Sequence, residues 1–439
     1  MKKKYRIILY TSIFLLCVVA SIILVVKKSN SVYEEESKPK VVKHKSMLSM
    51  NLEQTAGSGD YKTVTQSSWP TEGYKFNAEL SKCENGSTLS WDDTKKAVIM
   101  QGNVSDKCYV YFDIWIPSIA DYCTSGTDLA TCVKNFGDQG PSVSNIYIHN
   151  SSLTNGAGDN SYRYAGANPN NFVCFGSDAS PCPIDNLYRI IGVFGENYHG
   201  ANGKQLVKLI KYDYMTTDEL GTDGDYSQTY KEWGMNSTYK GTYGDGERIG
   251  VYYWNYKATG SATNTWSTSL LNKTNLNTNF INNIGTTWAN KIATVTWKVG
   301  GNTWANIGTK TSSVAYTNEI TNPVTTNTTD NATTYSAKIG LMYVSDYGFA
   351  ASPDAWTLTM SSYNNTTATN NNWMYMGLYE WTISRRAGHS DLAFLVDNDG
   401  NVSSNDVDYR YGVRASFNLE SSVSYVSGSG SMSDPIVIN

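Results

Sequence analysis

The stretch YEWTISRRAGHSDLAFLVDNDGNVSSNDVDYRYGVRASFNL, residues 379–419, decides how this chain is read. It runs strand, loop, strand, turn, strand, loop, strand. Trp381, Phe394, Val396, Val413, Phe417 and Leu419 fall at positions suited to a buried strand face. The turn Asp399-Gly400-Asn401 between AFLV and NVSS carries the glycine that a tight hairpin needs. Arg414 follows a Gly-Val step inside a strand. A guanidinium placed there needs a carboxylate and backbone carbonyls for its five donors, and Glu380 and Asp346 are the candidate partners. The intervening loops are dense in Tyr, Arg, Asn and Asp, without a set of groups assembled for catalysis.

The chain around this stretch has 439 residues and a net charge of −4, with 35 Lys and Arg against 39 Asp and Glu. That balance gives no electrostatic reason to expect a nucleic acid partner. There are 32 Tyr and 12 Trp in a background rich in Asn, Thr, Ser and Gly. Large aromatic contact area combined with adaptable hydrogen bonding is the composition of a recognition surface. It is also the composition of exposed strands that favour Tyr and Thr.

An apolar run from Ile7 to Val26 is preceded by Lys2, Lys3, Lys4 and Arg6 and followed by Lys27 and Lys28. At about 1.5 Å per residue it is long enough to cross a hydrocarbon core of about 30 Å. The denser basic cluster favours an N-inside orientation. No small-x-small site follows the run, which favours a retained anchor over a cleaved signal. The expectation is a single-pass protein of the cell membrane, its span at residues 7–26 in the lipid bilayer and its bulk extracellular. Cys17 lies in that span; the other six cysteines form three short-range neighbours. Sequential pairing is expected, Cys83 with Cys108, Cys123 with Cys132 and Cys174 with Cys182, as suits an oxidising compartment.

Five segments are expected: an anchor at 1–28, a flexible stalk at 29–57, a small β module at 58–116, a helical linker at 117–140 and one large domain at 141–439. In the small module, STLSW and KAVIM flank the turn signal DDTK, and KCYVYFDIWI reads as a further strand. In the large domain, KQLVKLIKYDYM alternates apolar and polar and reads as a strand, and AKIGLMYVSDYGFA reads as a buried strand. Short helices are expected within TWSTSLLNKTNLNTNFINNIGTTWANKIAT, and a long surface excursion over 307–334.

Chemistry-bearing patterns are sparse. The four histidines, His44, His149, His199 and His389, do not stand at ligand spacing with one another or with cysteine. There is no G-x-S-x-G elbow, no phosphate-binding loop and no dinucleotide fingerprint. DNDGN at 397–401 has its glycine at the fourth place rather than the sixth, so it does not fit an EF-hand loop. With GTDGD at 221–225 and GDGE at 244–247 it leaves oxygen-rich turns that could help hold Ca²⁺. No other cofactor is expected.

At EWTIS…DLAFLVDNDGNVSSNDVDYRYGVRASFNL the chain resembles the C-terminal half of C-type-lectin-like domains of the formylglycine-generating-enzyme type, as found in bacterial surface proteins. Trp381, Ser384, Ala393, Val396, the turn Asp399-Gly400-Asn401 and Tyr411-Gly412-Val413-Arg414 carry the likeness, which extends over roughly 170–439. The resemblance implies a strand-rich α+β, C-type-lectin-like domain whose late loops present a variable face. Catalytic members of that group use a late cysteine pair. This chain has no cysteine after Cys182, so the resemblance implies a binding protein, not an enzyme.

On that reading Arg414, Trp381 and Glu380 are structural. Ligand-binding residues are expected in the loops: Tyr363, Asn364, Trp373, Tyr375, Arg385, Arg386, His389, Asp391, Asn405, Asp408 and Tyr409. Aromatic faces stack on sugars or side chains, and Arg and Asn add directional hydrogen bonds. The expected activity is recognition of a glycan or protein ligand outside the cell, as an adhesin would. A pilus-like structural subunit, with DPIVIN as its exchangeable strand, and a wall-active or glycan hydrolase are the alternatives.

Overall fold

The computed structural model describes residues 47–439, apart from 66–67, 71, 104, 196–198, 202, 223–226, 234–238, 245 and 325–331. The expected membrane span, residues 7–26, lies outside the described residues. Among the described residues no helix is long and apolar enough to cross a membrane. The architecture is strand-rich α+β, with 22% of residues in helices and 30% in strands. It divides into two compact units, one ending at Ile116 and one running from Pro117 to Asn439.

In the smaller unit, strand Lys107–Ile114 is central. It pairs with Met47–Glu53 in parallel and with Tyr74–Phe76 and Lys82–Cys83 in antiparallel fashion. Met50, Leu52, Val110 and Phe112 form its core, against which Trp69, Phe76 and Trp91 pack. The expected hairpin is present, with Thr88–Asp92 paired to Ala97–Gln101. Asp92 accepts the backbone N–H groups of Thr94 and Lys95, which closes its turn. Strand Met47–Glu53 corrects the expected stalk boundary at residue 57. Its apolar Met50 and Leu52 supply two of the four buried residues of this unit's core.

The larger unit holds two large sheets, besides the two-stranded pairings of Val295–Lys298 with Thr334–Ala337 and of Tyr425–Ser427 with Val437–Ile438. The seven-stranded one runs Ile339–Gly340, Ser416–Asn418, Leu206–Lys211, Leu187–Phe194, Tyr162–Tyr164 and Ile146–Ile148, with Phe172–Cys174 also pairing to Leu187–Phe194. The six-stranded one runs Ser227–Thr229, Gly250–Tyr253, Arg410–Gly412, Glu380–Arg385, Leu392–Val396 and Val402–Asp406. The opening stretch therefore supplies four strands to one sheet and, through Ser416–Asn418, a fifth to the other.

Three expectations for this unit are corrected. The helix Leu129–Gly137, capped by Asp128 accepting from the Thr131 N–H at 2.8 Å, is no linker, because Leu129, Cys132, Val133 and Phe136 are buried in the main core. AKIGLMYVSDYGFA is not one strand. After Ile339–Gly340 it turns into the helix Val344–Ala350, whose first N–H groups are capped by Glu319 and by Asp346. The segment 307–334 is no surface excursion over its first half, since Ile307, Ala315, Tyr316, Glu319 and Ile320 are buried. Strand Leu206–Lys211 is buried on both faces although it alternates with lysine. Each buried lysine has a carboxylate: Lys208 meets Asp346 and Lys211 meets Glu219.

All three disulfides form as expected, Cys83–Cys108, Cys123–Cys132 and Cys174–Cys182. The terminal DPIVIN is engaged within its own fold, with Ile438 paired to Tyr425 and Ile436 bridged to Val173.

Candidate functional site

The six-stranded sheet is the element that carries aromatic and acidic groups to the surface. Its register pairs Tyr252 with Tyr411, Trp381 with Leu395, Leu395 with Ser403, and Ala393 with Asn405. Because paired residues share a face, Trp381, Tyr411 and Asn405 lie on one side of the sheet. On that side three tyrosines stack. The Tyr379 and Tyr411 rings lie 5.1 Å apart with planes at 20°, and the Tyr411 and Tyr409 rings 6.3 Å apart at 21°. Trp381 meets Tyr411 edge-on at 4.7 Å from beneath. The row thus runs from fully buried Trp381 to Tyr409, which is 46% exposed. Asn405 fixes the middle ring by donating from Nδ2 to the Tyr411 hydroxyl at 2.6 Å. Burial pushes the Tyr411 hydroxyl up to about 12, so it stays a neutral hydrogen-bonding group.

Carboxylates flank the stack. Burial, together with the neighbouring charges of Asp391 and Asp408, holds the Asp406 carboxyl above its ordinary value, and His389 opposes the shift. Those four groups therefore sit close together, with His389 and Asp408 exposed and Asp391 and Asp406 half-buried. On the Tyr379 side, burial raises that hydroxyl and the charges of Asp397 and Asp399 add to the effect. The row presents one exposed ring, Tyr409, with half-buried Tyr379 at its other end and carboxylates near both. It suits a polyhydroxylated or cationic ligand.

The opposite face carries two cation–π units. Arg386 lies 5.7 Å from the Trp304 ring and donates to Ser404 Oγ at 3.1 Å. Arg410 lies 4.5 Å from the Tyr253 ring, and Tyr253 stacks parallel on Tyr256 at 5.5 Å.

Behind the stack the sheet is held by the expected structural pair. Arg414 Nε and Nη2 donate to the two oxygens of Glu380 at 2.8 and 2.9 Å, and Nη2 also donates to the Met374 carbonyl at 2.7 Å. Glu380 is the partner; Asp346 is committed elsewhere. Trp381 is core, its Nε1 donating to the Tyr252 carbonyl.

Of the expected ligand-binding residues, Asn405 and Tyr409 contact Tyr411 of the stack, whereas His389, Asp391 and Asp408 gather around Asp406 at the end of strand Val402–Asp406. Asn364 is exposed, and its N–H donates to Asn401 Oδ1. Arg386 is on the opposite face. Tyr363, Trp373, Tyr375 and Arg385 are buried, which corrects the expectation that they form an open loop surface. The Tyr363 hydroxyl is 2.7 Å from Ser312 Oγ and donates to the Gly348 carbonyl. Trp373 donates to the Tyr164 carbonyl and sandwiches the Arg189 guanidinium with Phe172. Tyr375 donates to the Asn398 carbonyl at 2.6 Å and so pins the 397–401 turn to the core. Arg385 is the last residue of a buried strand and donates to the Val324 carbonyl.

Sequence reasoning missed two tyrosines of the stack, Tyr379 and, as a face residue, Tyr411. The odd-numbered run Tyr379, Trp381 with Tyr409, Tyr411 was the available signal. It also missed a buried polar network. Asp159 accepts from Arg163 Nη2 at 2.8 Å and from the Tyr316 hydroxyl at 2.8 Å, and it lies 3.1 Å from His199 Nε2. Burial alone would raise the Asp159 carboxyl; Arg163, His199 and Ser161 outweigh it and hold the group well below the carboxylate range.

The turn 397–401 uses its own acid. Asp397 Oδ1 accepts the N–H groups of Asp399 and Asn401, and Gly400 takes a positive φ of 97°. This is the expected hairpin turn, and its carboxylate is engaged by its backbone. The oxygen-rich segments 221–225 and 244–247 lie partly outside the described residues. Among the described residues, the His, Cys and carboxylate atoms close enough to share a metal are those of Cys83, Asp106 and Cys108. Both cysteines are in a disulfide, and Asp106 accepts from the N–H groups of Asn85 and Ser87.

No protein-family model matches the chain, and no curated protein or solved structure does.

Proposed function

We propose that the chain is a membrane-anchored extracellular binding protein, held in the bilayer by residues 7–26. Its larger unit is a non-catalytic domain of the C-type-lectin-like, formylglycine-generating-enzyme type. The ligand is a glycan or an extracellular protein, docking on the Tyr409 end of the aromatic row and hydrogen-bonding to Asn405, Asp408 and Asp391. The single observation carrying this reading is the stack Tyr379–Tyr411–Tyr409, in which the buried Tyr411 ring backs the exposed ring of Tyr409. An exposed ring held by stacked neighbours loses little freedom on binding, which favours recognition. The buried acids are bonded to structural partners, so a hydrolytic carboxylate pair has less support.

The test is binding of the detergent-solubilised full chain to arrays of bacterial and host glycans, mucins and surface proteins, with and without Ca²⁺. Saturable binding that Tyr409→Ala abolishes supports the reading. Binding untouched by Tyr409→Ala and Asp408→Asn would move the site off this face.

A further inference from the structure

The seven-stranded sheet and the helix beside it hold a pair whose chemistry goes beyond the binding face. Lys208 Nζ lies 2.5 Å from Asp346 Oδ2, with 2% and 1% of the two side chains exposed. The amine is enclosed by the rings of Tyr343 at 4.3 Å, Trp297 at 5.1 Å and Phe194 at 5.8 Å. The other Asp346 oxygen, Oδ1, is 3.5 Å from Arg163 Nη1. Arg163 is itself fixed by Asp159 and walled by the Phe194, Phe349 and Tyr316 rings. Asp346 is held in place by the helix it begins, since Oδ2 also accepts the Tyr343 N–H at 3.0 Å.

We infer that Lys208 and Asp346 form an intramolecular amide cross-link between the Lys208 Nζ and the Asp346 Cγ in the mature fold. The starting ion pair differs from a neutral amine and carboxylic acid only by the position of one proton along a short contact. A site closed by aromatic rings disfavours the ammonium and so makes Lys208 readier than a free lysine to give up the proton that must leave before its nitrogen can attack. Burial and Arg163 lower the Lys208 amine against the pull of Asp346, while at Asp346 the two cations outweigh burial and keep the acid strong.

The step balances without an oxidant or a further reactant. The Lys208 ammonium passes one proton to Oδ2, and the freed lone pair attacks Cγ. The Nζ–Cγ bond forms, and negative charge gathers on Oδ1, facing the Arg163 guanidinium. The Cγ–Oδ2 bond then breaks, and Oδ2 leaves as water with the transferred proton and a second one from nitrogen. One hydrogen stays on the amide nitrogen. The bond would tie strand Leu206–Lys211 to helix Val344–Ala350 across a sequence separation of 138 residues.

The test is mass spectrometry of the detergent-extracted full chain, denatured, reduced and digested with trypsin. The cross-link blocks cleavage after Lys208. The expected product is a branched peptide joining residues 205–211 to residues 339–385, lighter than the two linear peptides by one water. Asp346→Asn should give the same branched peptide with ammonia lost in place of water, whereas Lys208→Arg and Asp346→Ala should give none. The wild-type digest decides by itself, whether or not a variant folds. Cleavage at Lys208 with only linear peptides, from protein whose tryptophan fluorescence shows a cooperative unfolding transition, overturns the inference.

Discussion

Removing Arg414 should be the most informative single perturbation of the scaffold behind the stacked face. Arg414 and Glu380 are 1% and 2% exposed, and the guanidinium makes two hydrogen bonds to Glu380 and one to the Met374 carbonyl. Arg414→Ala deletes all three and leaves a carboxylate buried without its cation. Breaking such a pair from one side costs about 3–5 kcal/mol, because the stranded charge retains its full desolvation penalty. Removing both charges together is far milder. Glu380→Gln with Arg414→Met keeps most of the volume and strands no ion, so the double variant should recover at least half of the loss. Urea unfolding with disulfides intact, followed by tryptophan fluorescence, reads both numbers as shifts in midpoint at constant slope. The shift should fall on the transition of the larger unit, 117–439, and spare that of the smaller. A loss below about 1 kcal/mol for Arg414→Ala would refute the reasoning, since a single ordinary hydrogen bond is worth that much. So would a double variant less stable than Arg414→Ala alone.

Tyr409→Ala should abolish ligand binding while changing stability by less than about 0.5 kcal/mol, as expected for an exposed ring away from the core. Trp373→Ala should instead destabilise by about 3–5 kcal/mol, because it empties a core position and uncovers Arg189; urea midpoints separate the two cases. Acid should weaken the fold in two steps. His149 is buried, which drives its pKa well below the ordinary 6.5, so the stability from its neutral form is complete above that pH and is lost as pH falls. Asp159, depressed below its ordinary 3.8, adds a second loss below that value. Urea midpoints against pH should show a smaller first step in His149→Gln, with the share of His199 left because burial lowers its pKa too, and a smaller second step in Asp159→Asn; a flat profile between pH 7 and 5 in the wild type would contradict the first. Replacing Cys83 and Cys108 by Ser should cost the smaller unit about 3.5 kcal/mol from loop entropy, given their separation of 25 residues, and should leave the larger unit's transition in place.

What the sequence by itself determined is local. Alternation and turn residues marked the strands Glu380–Arg385, Leu392–Val396 and Val402–Asp406, because hairpin geometry is written in residues two to five apart. Close spacing likewise made the three cysteine pairings legible. Glu380 was legible as an Arg414 partner because a carboxylate is what a strand-borne guanidinium needs, although choosing it over Asp346 took the fold. The tertiary structure alone decided which aromatics face solvent. Tyr363, Trp373 and Tyr375 sit in a polar, Asn-rich run that reads as open loop. They are covered because Ser312 and Gly348 reach the Tyr363 hydroxyl, Tyr164 reaches Trp373 from 209 residues away, and Asn398 receives the Tyr375 hydroxyl. Tyr409, a neighbour of Tyr411 in an equally polar run, is 46% exposed among the described residues. The buried lysines show the same division. Lys208 reads only as a polar position within a strand, yet a helix 138 residues later brings Asp346 and a ring of aromatic side chains onto it. Burial is set by which surfaces meet across long sequence separations, and spacing along the strand carries no record of that.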